Sequence, residues 1–73
     1  MRRVFERRDW KDMPYIDVKI YERRLTRESE RALIERLTQA VVEVFGEEIR
    51  EQTWVSLTGV PPQRWGIAGA PGR

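Results

Sequence analysis

Pro14-Tyr15-Ile16-Asp17-Val18-Lys19-Ile20 is the stretch on which the fold turns. Ile16, Val18 and Ile20 alternate with Asp17 and Lys19, the period of two expected of a strand with one buried face. Downstream, Leu33, Ile34, Leu37, Ala40, Val41, Val44 and Phe45 recur at spacings of three and four. That spacing predicts one continuous apolar stripe along a helix. Thr26 suits the N-cap of this helix, and Glu28 and Glu30 set negative charge at the positive end of its dipole. Gly46 follows the last apolar residue and suits a C′ position.

Beyond the helix, Glu47–Gln52 reads as a polar connection. Thr53–Thr58, rich in β-branched, aromatic and apolar residues, reads as a second strand. A helix of this length is the usual crossover between parallel neighbours, so a right-handed β-α-β unit of the α+β class is expected, with a parallel two-stranded core. Pro61-Pro62 ends regular structure, because proline supplies no ladder N–H. Trp65-Gly66-Ile67-Ala68-Gly69 reads as a short C-terminal hairpin or edge segment, and Ala70–Arg73 as a loose tail. Upstream, residues 1–13 show neither clean alternation nor a trustworthy helical stripe. They read as a charged extension, with a short strand around Arg3–Glu6, ahead of a domain over residues 14–73.

Seventy-three residues hold one small domain, and there is no cysteine with which to staple it. Oligomerisation is then the expected extra source of stability. The chain is basic, with a pI near 9.5, but the charge is localised. Residues 1–13 carry Arg2, Arg3, Arg7, Arg8 and Lys11 against Glu6, Asp9 and Asp12, and the remainder carries nine charges of each sign. An electrically balanced body offers no basic groove for a phosphate backbone, so nucleic acid is not an expected partner. A ribbon-helix-helix repressor, with a basic strand before its helices, fits poorly for the same reason. No apolar run approaches the roughly 18 residues of a membrane span, and no h-region follows the basic start. The expected location is the cytoplasm, with no membrane partner.

The sequence contains no His and no Cys. Zinc and most transition-metal sites lose their usual ligands, and Ser-His and Cys-His nucleophile pairs are ruled out. No glycine loop for phosphate is present. No metal and no cofactor is expected, and any catalytic base must be a carboxylate, a lysine, a tyrosine or a terminal amine.

Pro14 to Ile20, the helix after it, and the block Val60-Pro61-Pro62-Gln63-Arg64-Trp65-Gly66-Ile67-Ala68-Gly69 together resemble 4-oxalocrotonate tautomerase and its relatives. The resemblance covers nearly all of residues 14–73. It implies a β-α-β tautomerase protomer in which an N-terminal proline, here Pro14, shuttles a proton between carbon and oxygen of an enol or 2-oxo acid. It also implies assembly into a homo-oligomer, with protomers pairing their short sheets and three pairs making a hexamer. In such relatives an arginine just before the helix binds the substrate carboxylate. Counting from Pro14 favours Arg24, while aligning backward from the helix leaves Arg23 equally placed. A second arginine of the relatives falls at Trp54, so a dicarboxylate such as 2-hydroxymuconate should bind less well here. A monoacid with an apolar or aromatic tail, such as phenylenolpyruvate, becomes the expected substrate. Trp54 serves equally as a packing residue. Trp65 matches the aromatic wall beside the proline, and Tyr15 is a weaker candidate for lining the pocket.

An internal proline is an amide without a basic lone pair, so residues 1–13 decide whether Pro14 can act. Three explanations stand. Met13 is the true initiator and is removed; the chain is cleaved between Met13 and Pro14; or the extension is retained on a non-catalytic assembly subunit, in a homo-oligomer or a hetero-oligomer beside an active partner.

Overall fold

The alternating stretch forms β1, Tyr15–Tyr21. Its odd positions Tyr15, Asp17 and Lys19 are exposed, while Ile16, Val18 and Ile20 are half-buried. The computed structural model describes residues 13–72, and the strand expected around Arg3–Glu6 lies outside the described residues. After a single 3₁₀ turn, Glu22–Arg24, the chain enters α1, Arg27–Phe45. A 3₁₀ segment over Glu47–Gln52 then returns it to β2, Trp54–Val60. The two strands pair in parallel, with Tyr15 opposite Trp54 and Tyr21 opposite Val60. This is the β-α-β unit expected from the sequence, and β2 begins and ends slightly later than the pattern indicated.

Thr26 caps α1. Its hydroxyl accepts from the Ser29 backbone N–H at 3.0 Å, and the Ser29 hydroxyl accepts from the Thr26 N–H at 2.8 Å. Two of the unpaired donors at the helix start are thereby satisfied reciprocally. At the other end the Gly46 N–H donates to the Val42 carbonyl at 2.8 Å.

The apolar stripe divides in a way the spacing did not indicate. Val42, absent from the expected stripe, is the one buried hydrophobic residue among those described, at 7% exposure. Leu33, Leu37 and Val41 are half-buried, whereas Val44 is 74% and Phe45 68% exposed. The reason is geometric. Two strands about 4.8 Å apart make a platform narrower than a helix roughly 10 Å across. The sheet covers only part of an apolar surface that wraps most of the way round the last turns of α1.

The C-terminal block also departs from expectation. A 3₁₀ turn at Pro62–Arg64 leads to β3, Gly66–Ile67, which pairs antiparallel with β4, Ala70–Pro71. Ala68 and Gly69 form the turn with φ of 54° and 84°, the left-handed conformations that tight hairpin turns require. Ala70 and Pro71 are therefore not a loose tail. The Gly72 N–H closes the hairpin on the Trp65 carbonyl at 2.8 Å. No helix among the described residues is long and apolar enough to cross a membrane.

Candidate functional site

The parallel register places the candidate residues at the two opposite ends of the sheet. At the entry end, the Pro14 carbonyl accepts the Trp54 N–H at 3.0 Å, and Tyr15 stands directly across from Trp54. Both aromatic residues are more than half exposed. Pro14, Tyr15 and Trp54 are thus one cluster.

A hydrogen-bonded row runs from that cluster along the sheet. The Ser56 hydroxyl donates to Asp17 Oδ1 at 3.0 Å, which leaves its oxygen to accept from the Tyr15 hydroxyl at 2.8 Å. Lys19 Nζ donates to Asp17 Oδ2 at 2.9 Å. The Lys19 bond and then the Ser56 bond hold the Asp17 carboxyl below its ordinary range, and the Asp17 bond in turn raises the Lys19 ammonium. Both favour the charged forms because each partner stabilises the other's charge.

The exit end carries the remaining candidates. Tyr21 closes β1, and its ring stacks on Trp65 with centroids 5.4 Å apart and planes 26° from parallel. Trp65 is fixed by its indole N–H, which donates to the Val60 carbonyl at 3.2 Å. The Arg23 guanidinium carbon lies 4.9 Å from the centre of the Tyr21 ring, within cation–π range. Ile20, Tyr21, Arg23, Arg24 and Trp65 together line an open cleft of about 360 Å³. Arg24 also borders a neighbouring cleft with Leu25, Ser29 and Leu33.

Two glycines make this end possible. A Cβ on Gly59 would lie 3.1 Å from the Glu22 Cα, so the turn bearing Arg23 and Arg24 sits close against β2. A Cβ on Gly72 would lie 2.5 Å from the Tyr21 hydroxyl oxygen and 3.0 Å from the Pro62 carbonyl oxygen.

Within one chain, therefore, Pro14, Tyr15 and Trp54 are brought together, and Arg23, Arg24 and Trp65 are brought together. The two groups are separated by the seven residues of β1, roughly 20 Å at strand spacing. Sequence reasoning missed Tyr21, which joins Arg23 to Trp65, and Ser56, which joins Tyr15 to Asp17. The available sign for Tyr21 was an aromatic ring ending the strand face that carries Tyr15, Asp17 and Lys19. Its partner Trp65 lies far along the chain, and nothing in the local pattern points to it.

Among the described residues no group of three or more His, Cys, Asp or Glu is gathered to hold a metal ion. The arrangement offers instead a proline at one end, and two cations beside an aromatic pair at the other.

Comparison with known proteins gives a match to the family model described as tautomerase enzyme, over residues 14–71. No curated protein and no solved structure gives a significant match. With the parallel β-α-β core, the C-terminal hairpin and a family match over most of its length, the chain belongs to the tautomerase family.

Proposed function

We propose that this protein is a keto–enol tautomerase of a 2-oxo acid, with the Pro14 amine as its general base and acid once residues 1–13 have been removed as a segment separate from the 14–73 domain. The observation that carries this reading is that the family match opens at Pro14 itself.

The chemistry follows from the amine. A free proline nitrogen is a rigid secondary amine, and α-amino groups start from a pKa of about 7.7–8.0. An apolar site with cations nearby disfavours its protonated form and brings it toward working pH, where proton transfer is most efficient. The neutral amine takes the enol hydroxyl proton, and the resulting ammonium gives a proton to C3 as the C2 carbonyl forms. In the reverse direction it removes the C3 proton. An arginine binds the carboxylate and draws charge toward the oxygen that becomes negative as the enolate develops.

The separation of the two clusters supports a site shared between copies of the chain. A second protomer running antiparallel would bring its Arg24 and Trp65 end to the Pro14 of the first. The exposure of Val44 and Phe45, and a core with one buried hydrophobic residue among those described, favour burial against further copies. A hexamer of three sheet-paired dimers is the assembly that the family resemblance implies. Trp54 beside Pro14 favours a monoacid with an apolar or aromatic tail over a dicarboxylate.

The test compares phenylenolpyruvate ketonisation by a chain beginning at Pro14, by the same chain with Pro14→Ala, and by the chain beginning at Met1. The first should be active, and the second should fall by about 10²–10⁴-fold, the usual worth of a positioned base. The third should match the second. Activity that survives Pro14→Ala overturns the proline mechanism. An inactive chain beginning at Pro14 would point to the assembly-subunit role instead.

A further inference from the structure

Arg23 and Arg24 are adjacent in sequence and line the same cleft, yet they are held differently. Arg23 lies over the Tyr21 ring, and that ring is itself stacked on Trp65. The stack is anchored at its far side by the bond from the Trp65 indole to the Val60 carbonyl. It is confined behind by Gly72, where there is no room for a side chain against the Tyr21 hydroxyl. No hydrogen bond, ion pair or ring contact among the described residues engages the Arg24 guanidinium, which borders this cleft and its neighbour.

We propose that Tyr21 is the specificity-determining residue of this cleft: by holding Arg23 against its ring it leaves Arg24 as the carboxylate ligand, and with Trp65 it offers an aromatic surface to a planar, unsaturated tail. The physical basis is twofold. A guanidinium resting on an aromatic face gives up one face of its hydration and is fixed in orientation, whereas an unengaged one can turn its fork of donors to a carboxylate. The exposed part of a stacked phenol and indole is flat and polarisable, and it favours a flat π-system over a puckered saturated ring. The inference rests on the cleft being the acid-binding part of the tautomerase site, but it concerns binding and is read without turnover.

Binding of cinnamate and of cyclohexanecarboxylate to the full chain, measured by calorimetry, separates the contributions. Both probes carry one carboxylate, and only cinnamate is planar. The unaltered protein should prefer cinnamate. Tyr21→Leu should reduce that preference by about tenfold while retaining the saturated acid, and Tyr21→Phe, which keeps the ring, should restore it. Arg24→Ala should weaken both acids by about tenfold or more, and Arg23→Ala, which keeps the Tyr21 ring and Arg24, should leave the preference for cinnamate in place. A larger loss of binding in Arg23→Ala than in Arg24→Ala overturns the proposal. So does an unchanged preference in Tyr21→Leu, or failure of the unaltered chain to bind either acid. Loss of turnover with these binding patterns intact would count against the Pro14 mechanism alone.

Discussion

The Trp54 backbone N–H donates to the Pro14 carbonyl at 3.0 Å, so the first residue of β2 is tied to the residue that precedes β1. Whatever occupies the position of Trp54 is therefore held beside the proline by the sheet itself, independently of its side chain. Trp54→Arg should consequently place a cation near Pro14 without disturbing the fold. In the chain beginning at Pro14, kcat/KM for 2-hydroxymuconate should rise relative to phenylenolpyruvate by about tenfold, the lower end of what a charge-assisted hydrogen bond supplies. Steady-state kinetics on the two substrates give the ratio directly. An unchanged ratio would mean that Trp54 does not border the substrate.

The Asp17–Lys19 pair gives the fold a weak dependence on pH at both extremes. Asp17 is lowered, so its contribution is complete above its unfolded value near about 3.9 and is lost as pH falls through the lower folded value. Lys19 is raised, so its contribution is complete below about 10.4 and is lost as pH rises through the higher folded value. Both side chains are well exposed, and solvent screening keeps the effect small. Thermal melts of the parent and of Asp17→Asn should run parallel near neutrality. The parent's advantage should shrink only as the acid limit is approached.

Gly72 and Gly66 provide a paired test of the C-terminal hairpin. Gly72→Ala forces a Cβ against the Pro62 carbonyl, the Trp65 Cβ and the Tyr21 hydroxyl. It should cost about 1–3 kcal/mol in denaturant unfolding, as overpacking generally does. Nothing lies within 4 Å of a Cβ at Gly66, and Gly66→Ala should be neutral to within about 0.5 kcal/mol. Equal effects would show that the hairpin does not press on the Tyr21–Trp65 stack.

Val42 and Val44, two residues apart on α1, should report different things. Val42→Ala removes buried volume and should lower stability by about 2 kcal/mol. Val44→Asp leaves packing within the chain untouched, because Val44 is exposed there. If that face is covered by another copy, sedimentation should show the Val44→Asp assembly reduced to smaller species, with the helix content of its subunits retained.

The secondary structure of the core was legible because each element carries its own local signature. Ile16, Val18 and Ile20 mark a strand face, and Thr26 and Gly46 bracket the helix. The packing was less legible. Val42 was passed over because the last turns of α1 are apolar on several faces, and only the width of the sheet decides which one is covered. The pairing of Ala70–Pro71 with Gly66–Ile67 was hidden because two-residue strands show no periodicity. The candidate residues at the two ends of the sheet came from resemblance to a family rather than from local pattern. Tyr21 was not among them, since its stack with Trp65 is brought about only by the folded chain.

The placement of Pro14 and Arg24 at opposite ends of β1 has a genetic consequence. If each site draws its base from one chain and its arginine from another, two individually inactive variants can complement. Pro14→Ala subunits and Arg24→Ala subunits, unfolded together and reassembled, would form some sites that inherit both intact ends. Activity would then reappear in the mixture though neither parent has it, and a mutation at this locus could be silenced by a second, different one carried on the other copy.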